Sequence, residues 1–389
     1  MNSESKTIKV GVPTETFPDE RRVAIPPEVI PTLKKLPVQF VVERGAGLQA
    51  GFTDQAYEAQ GAHLATREEV FSQADVIAQV RGFGSNQEAG KADLEKMRSG
   101  QVVVSMLDPL SEPGAVRELA QTGVQAFALE LMPRITRAQS MDVLSSMATV
   151  AGYKAVLLAA EHLPKFFPMM MTAAGTIAPA KVFVIGAGVA GLQACATAKR
   201  LGAVVEAYDV RPAVKDQVKS VGAEFVEFDL EIESAEDQGG YAKEQSEEFI
   251  RKQQEQMKTV VTRNHVVITT AAIPGKKSPV LITRDMVESM MPGSVIIDLA
   301  AERGGNCELT QAGEAIKAGE VTILGPLNLP ATVPFDASRM FGKNVVTFLK
   351  QIINEEGLNI DLEDQVIKDT LVAREGDICS ERIRQLLET

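Results

Sequence analysis

Lys181–Arg211 reads KVFVIGAGVAGLQACATAKRLGAVVEAYDVR, and the order of its parts decides the fold. Lys181 to Ile185 is a short apolar run of strand type. Gly186, Gly188 and Gly191 follow at G-x-G-x-x-G spacing. The first glycine permits a sharp turn, the second lets a pyrophosphate approach the backbone, and the third allows close packing of helix on sheet. A helix running to about Leu201, with Val189 and Ala190 in its first turn, offers unpaired N–H groups and a positive dipole end to phosphates. A second strand, Val204 to Tyr208, ends at Asp209. An acid about 20 residues beyond the glycines accepts hydrogen bonds from ribose hydroxyls. A carboxylate there repels a 2′-phosphate, so NAD(H) is expected in preference to NADP(H). A lone glycine motif is often only a tight turn, whereas strand, glycines, helix, strand and acid in this order are far more specific.

The bulk composition bounds the rest. A chain of 389 residues is too long for one ordinary core, so two domains are expected. Its 45% hydrophobic and 24% charged residues are those of a soluble globular protein. A net charge of −12 argues against nucleic acid or an anionic membrane surface as a direct partner. Cys195, Cys307 and Cys379 are far apart and odd in number, which fits a reducing compartment and neither a disulfide framework nor zinc spacing. The opening MNSESKTIKV has no apolar signal segment. Two uncharged stretches, Phe166 to Ala180 and Val182 to Ala198, are separated by Lys181. The first is broken by Pro168 and Pro179, and the glycine turn accounts for the second. Neither reads as a span of about 20 residues, so no direct membrane insertion is expected.

Upstream, apolar runs alternate with polar helical segments. Strands are predicted at Ile8 to Val12, Gln39 to Glu43, Val76 to Val80, Val102 to Met106 and Gln125 to Ala128, with helices such as Pro27 to Leu36 and Gly114 to Gln121 between them. This rhythm implies a second parallel sheet, without the glycine fingerprint. Ala138 to Leu163 has apolar residues at helical spacing and no proline, and predicts one long helix between domains. Further strands are predicted at Glu224 to Phe228, Val266 to Thr270, Ser294 to Asp298 and Val321 to Leu324. The turn signals after the later strands, at Ile273, Arg303 and Gly325, are candidate walls of a ligand cleft. A second long helix, Ala337 to Ile353, returns the chain to the first domain. The expected fold class is α/β, with two Rossmann-like parallel-sheet domains joined by long helices and a cleft between them. The N-terminal domain is expected to take residues 1–137 plus 331–389, and the nucleotide domain 138–330. The polar connection from Asp229 to Lys258 reads as a charged helix, Glu244 to Lys258, preceded by a glycine-rich tip at Gln238 to Tyr241. It is a lid or a solvated surface insertion.

Arg134, Gln139, Asp142 and Ser145 form the main cluster of candidate catalytic groups. The spacing of three between the last three would place them along one helical face, where they could hold a carboxamide and a ribose. The structural alternative is a capping box with Thr136 as N-cap and Gln139 reaching back. His63, His162 and His265 read as structural histidines without metal-ligand neighbours. Dehydrogenases of alcohols and amines need a general acid or base, and none is evident in a cleft turn. Hydride transfer between two nicotinamides moves no proton with the hydride and needs no such group.

Several stretches together resemble a known family. They are GVPTETFPDERRVAIPP (Gly11–Pro27), PRITRAQSMDVLSSMATVAGYKAV (Pro133–Val156), the glycine fingerprint, GGYAKE (Gly239–Glu244), TTAAIPGKKSP (Thr269–Pro279) and VIIDLAAERGGN (Val295–Asn306). The chain resembles the NAD(H)-binding component, domain I, of proton-translocating nicotinamide nucleotide transhydrogenases over nearly its whole length. The resemblance implies a two-lobed homodimer on the cytoplasmic face of a membrane, docked on membrane-spanning subunits. There, hydride passes directly between NADH and NADP+ held on a separate NADP(H)-binding domain. It also implies that Arg134, Gln139, Asp142 and Ser145 surround the nicotinamide. Val189, Asp209, Val210 and Arg211 would contact pyrophosphate and adenosine. Gly240, Gln253 and Ala272 would make further cofactor contacts, and Tyr241 would be the aromatic of a mobile loop. Ala272, and Asn328 in NLP, depart slightly from the family pattern.

Alanine dehydrogenase shares the fold and the opening motif, and an NAD-dependent amino-acid dehydrogenase is the alternative function. Where that family is expected to carry a substrate Lys and a catalytic His, this chain has Arg81 and Asp108, although Arg22 is retained. A regulatory NAD-sensing module without chemistry would carry the same fingerprint.

Overall fold

The computed structural model describes residues 7–230, 247–272 and 275–388. The chain forms two compact units, Met1–Met147 with Pro330–Thr389 and Ala148–Leu329. Each is a Rossmann-like α/β layer structure, as the strand and helix alternation predicts.

In the second unit, Lys181–Ile185 pairs in parallel with Val204–Tyr208 on one side and Val266–Thr269 on the other. The sheet continues outward to Glu224–Phe225 at one edge. On the other side it runs through Val295–Asp298 and Val321–Leu324 to an antiparallel edge strand, Ala315–Ala318. The strand order therefore reverses beside Lys181–Ile185, and open α/β sheets bind ligands outside the strand carboxyl ends at such a point. Val182, Phe183, Val184 and Ile185 are each 1% exposed or less, because helices cover both faces. The two-residue period sorts them. Val182 and Val184 pack with Ala194, Cys195 and Ala198 of the helix Val189–Arg200. Phe183 and Ile185 pack with Met257, Val260 and Val261 of the helix Glu247–Thr262.

The first unit repeats the plan. Its strands run His63–Ala65, Val38–Glu43, Ile8–Val12, Val76–Arg81, Val102–Met106 and Gln125–Ala128, all parallel. Leu371–Arg374 and Asp377–Ile378 extend the sheet antiparallel at one edge. The order reverses between Ile8–Val12 and Val76–Arg81.

Four local expectations are corrected. Ala138 to Leu163 is not one helix: a 3-10 helix, Thr136–Met141, is followed by a break at Asp142 and then the α-helix Val143–His162. Asp142 adopts ψ 94°, and its carboxylate accepts the Ser145 N–H at 2.9 Å and the Ser145 hydroxyl at 2.5 Å. It thereby caps the longer helix, an arrangement worth about 1 kcal/mol. The proposed Thr136 capping box is also absent, since the 3-10 helix starts after Ile135 without a side-chain cap. Pro27–Leu33 is likewise 3-10 rather than α, with Pro31 inside it removing a backbone donor. The strand expected to Phe228 stops at Phe225. Among the described residues, Val143–His162 is the helix long and apolar enough to cross a membrane by length and composition. It lies outside the two uncharged stretches that the sequence singles out.

Candidate dinucleotide site

The three glycines of the fingerprint have different surroundings. Gly186 sits at φ +93°, and a Cβ there would fall 2.6 Å from Thr270 Oγ1. The Thr270 hydroxyl donates to the Gly186 carbonyl at 3.0 Å. A Cβ on Gly191 would lie 1.8 Å from the Gly186 carbonyl oxygen. At Gly188, nothing lies within 4 Å of the position a Cβ would take. The fold thus requires the outer two glycines, and the middle one faces open space. Gly188 is also the N-cap of Val189–Arg200 and supplies no side-chain acceptor to its first N–H groups. Val189 is exposed and Ala190 half-buried beside this end. Gly152, outside the motif, also matters: a Cβ there would lie 2.1 Å from the Ala190 carbonyl oxygen. Only a glycine lets the long helix approach so closely.

Asp209 follows the second strand and is 7% exposed. One carboxylate oxygen accepts the Ala187 N–H of the glycine loop at 2.7 Å and Arg211 Nη2 at 2.9 Å. The other accepts the Arg211 backbone N–H and Nε, each at 2.9 Å. The acid therefore ties the loop to Arg211, and ribose hydroxyls would share it with that guanidinium. Val210 between them is half-buried.

Gln253 is buried and donates its side-chain amide to the Tyr208 hydroxyl at 2.9 Å, linking the helix Glu247–Thr262 to the residue before Asp209. Burial pushes the Tyr208 hydroxyl up to about 12, so it stays protonated. Ala272 is exposed. The chain next to it is held by Asn306, which accepts the Ala271 N–H at 3.0 Å and donates to the Ala271 and Pro279 carbonyls at 2.8 and 2.9 Å. Asn306 is positioned in turn by Asp298, whose buried carboxylate accepts the N–H groups of Ala300, Asn306 and Cys307 and the hydroxyls of Thr269 and Thr310. Asp298 and Asn306 lie within VIIDLAAERGGN, but spacing alone does not single them out. The acid at the end of an apolar strand was the available signal. Gly240 and Tyr241 lie outside the described residues.

In the first unit, Asp142 and Ser145 are half-buried and bonded to each other, while Arg134 and Gln139 are exposed. The single helical face expected for Gln139, Asp142 and Ser145 does not form, because the chain changes helix type at Asp142. The turn is fixed instead by buried Ala138 and Met141, and by Asn344, which donates to the Ser140 carbonyl at 2.8 Å. Arg81 lies 3.6 Å from Glu20. Asp108, at φ +50°, donates its backbone N–H to Glu130 at 2.5 Å. Burial pushes the Glu130 carboxyl up to about 7. His265 accepts the Lys181 N–H through Nδ1 at 3.0 Å, and His162 Nδ1 contacts the Leu158 carbonyl at 2.9 Å. Among the described residues no group of three or more His, Cys, Asp or Glu is placed to hold a metal ion.

Family models for the N-terminal and C-terminal domains of alanine dehydrogenase/PNT match residues 11–151 and 155–381. The chain belongs to the alanine dehydrogenase/PNT family. Within this family it is 48% identical over 375 residues to an alpha-subunit chain of the NAD(P) transhydrogenase of Rhodospirillum rubrum, covering 95% of this chain and 97% of that one. It is 26% identical over 384 residues to alanine dehydrogenase of Mycobacterium tuberculosis, covering 97% and 96% of the two chains. The crystal structure of transhydrogenase from Sinorhizobium meliloti superposes with a TM-score of 0.84 at 46% identity, covering 95% of this chain and 99% of that one. Among members of the family, the likeness favours the transhydrogenase branch over the alanine dehydrogenases.

Proposed function

We propose that this chain is the NAD(H)-binding subunit of a proton-translocating NAD(P) transhydrogenase. The observation that carries the reading is the pairing of an open Gly188 with the buried Asp209 carboxylate, at the reversal of strand order in the second unit. The residues present fit a dinucleotide. The N-terminus of Val189–Arg200 receives the pyrophosphate, with Val189, Ala190 and Gly188 lining its approach. Asp209, Val210 and Arg211 hold the adenosine ribose. Gln253 and Ala272, with Gly240 and Tyr241, complete the cofactor contacts. The nicotinamide supplies the hydride chemistry when bound. Arg134, Gln139, Asp142 and Ser145 orient its ring and ribose, and they need not move a proton. Orientation alone is a sufficient role, since misplacement of about 1 Å can cost a hundredfold in rate.

The hydride acceptor, NADP+, belongs to a separate NADP(H)-binding domain, and membrane-spanning partner subunits couple the transfer to proton translocation. The chain lies on the cytoplasmic face of the membrane through those partners. A homodimer is supported by exposed apolar side chains, Tyr153 on the long helix, Phe166 and Met169 after it, and Met171 in the hairpin of strands Met170–Thr172 and Gly175–Ile177, where it is 83% exposed.

Titration of the chain with NADH and NADPH tests the nucleotide assignment. NADH is expected to bind far more tightly. Asp209→Ala should weaken NADH by about 1–3 kcal/mol, about fivefold to 150-fold, by removing hydrogen bonds to a buried ribose. Equal affinities for the two nucleotides in the unaltered chain would overturn the assignment. Hydride exchange after reconstitution with the NADP(H)-binding partner separates an enzyme subunit from a nucleotide sensor. Pyruvate formed from alanine and NAD would favour the amino-acid dehydrogenase instead.

A further inference from the structure

The turn Thr136–Met141 is held from its buried side and from its exposed side. Short 3-10 turns have poor internal hydrogen-bond geometry, so their position is set by what they touch. Ala138 and Met141 are buried, and Asn344 donates to the Ser140 carbonyl. On the exposed side, Arg137 reaches a residue 227 positions away. Its Nη1 and Nη2 donate to the two carboxylate oxygens of Asp364, each at 2.9 Å. Asp364 is itself fixed. It is the N-cap of the helix Gln365–Thr370 and accepts the N–H groups of Val366 at 2.8 Å and Ile367 at 3.4 Å. That helix buries Val366, Ile367 and Thr370 and leads directly into the strand Leu371–Arg374 of the first sheet. The Arg137 guanidinium is thus tied to the sheet through a short, buried helix.

The pair contributes little to folding. The Arg137 and Asp364 side chains are 46% and 27% exposed, and the attraction of exposed ion pairs is mostly offset by solvent and side-chain entropy. What a two-pronged fork adds is geometry, because two parallel bonds fix direction as well as distance. Arg137 precedes the exposed Gln139 by two residues, and the turn ends at the break of Asp142. On the assignment of Gln139 to the nicotinamide made above, we propose that Arg137 and Asp364 are positioning residues. Their clamp fixes the turn that presents Gln139, and the segment before Gln365 becomes part of the support of the reaction centre.

Two variants of the full-length chain test the clamp. Arg137→Met removes the fork. Asp364→Ser keeps an oxygen for the N-cap but is neutral and too short to reach Arg137. Hydrogen exchange is read first, without nucleotide, at the amides of Ala138 and Asp142, which bond to the carbonyls of Ile135 and Gln139. Both variants should exchange about twofold to fivefold faster there, the factor that an exposed ion pair supplies. Single-turnover hydride transfer is read next, in the complex reconstituted with the NADP(H)-binding partner. Each variant should transfer about tenfold more slowly, as misplacement of a positioning group implies, with NADH affinity changed by less than about twofold. The double variant should be no slower than Arg137→Met, because the two residues act as a unit. Unchanged exchange in both variants, or faster exchange with a normal transfer rate, would make this a surface ion pair only and overturn the proposal. So would a slow Arg137→Met beside a normal Asp364→Ser, since Arg137 would then act without Asp364. A full rate in Arg137→Lys, which keeps the charge and loses the fork, would overturn it as well. Absence of hydride transfer in the unaltered complex would instead defeat the functional reading, and exchange alone would then decide whether the clamp holds the turn.

Discussion

The two sheets share a strand order and differ in what stands at their reversal points. In the second unit a glycine loop, Gly186–Gly191, leaves open space above Gly188 and backbone N–H groups without a side-chain cap. In the first unit the corresponding turn carries Glu15, which reaches across to Val80 and Arg81, and Glu20 and Arg22 close over each other beside it. One crevice leaves open space beside uncapped backbone N–H groups, and the other has its polar groups engaged within the chain. The same scaffold becomes a nucleotide cradle or a sealed polar core through the residues of one loop, which is why fold alone does not assign function.

The largest test of this contrast lies in the glycines. Gly191→Ala forces a Cβ to within 1.8 Å of a backbone oxygen, and should cost about 3 kcal/mol in urea unfolding. Gly188→Ala meets nothing within 4 Å. It should cost about 1 kcal/mol or less while weakening NADH at least about tenfold, the effect of one lost charge-assisted hydrogen bond. Undiminished NADH binding in Gly188→Ala would break the comparison, because the open space would then not be the cradle.

The sealed crevice has its own signature in pH. Burial, reinforced by the neighbouring charge of Glu20 and opposed by the N–H groups of Val80 and Arg81, pushes the Glu15 carboxyl from its ordinary 4.5 to about 8. Between these values the folded chain keeps a proton that the unfolded chain has released. Stability from this group is therefore fully present below about pH 4.5 and is lost as pH rises through about 8, by a few kcal/mol in total. Glu15→Gln should flatten that fall, so the difference in unfolding free energy between the two proteins should change steadily from about pH 5 to about pH 8.5. Parallel curves for the two proteins would show that Glu15 titrates normally and that the crevice is wet.

A smaller contrast of the same kind separates Asp142 from Gln139. Asp142 caps the long helix through Ser145, so Asp142→Ala should lower stability by about 1 kcal/mol. Gln139 is exposed, and Gln139→Ala should change stability by less than about 0.5 kcal/mol. Both should slow single-turnover hydride transfer in the reconstituted complex more than they weaken NADH. A normal transfer rate in Gln139→Ala would remove it from the reaction centre.

Much of this was legible in the residues. The strands Lys181–Ile185 and Val204–Tyr208 end where the apolar runs end, because burial on both faces leaves an uninterrupted signal. Gly186 and Gly191 have the roles their spacing implies, since steric exclusion acts over neighbouring atoms. The break at Asp142 was hidden because apolar spacing continues unbroken on both sides of it. A capping acid declares itself only once the chain has changed direction. Ala315–Ala318 and Leu371–Arg374 were missed because a short antiparallel strand at the margin of a sheet carries little pattern, and its register depends on a distant neighbour. The Asp298–Asn306 clip joins residues 271 to 310 through a folded loop, and no local pattern announces which donors will surround a buried acid. Glu20 and Arg22 are close in sequence, yet their joint burial follows only from the turn at Asp19.

The sheet margins carry a consequence for assembly. Among the described residues, three of the four strands at the edges of the two large sheets, His63–Ala65, Asp377–Ile378 and Glu224–Phe225, have three residues or fewer, and the fourth, Ala315–Ala318, places Lys317 within it. Such edges are too short or too charged to template another chain's backbone. Strand addition to either large sheet is thereby disfavoured as a mode of contact. Around these sheets, contact is left to helix faces and loops, where a partner must match side chains rather than merely extend a ladder.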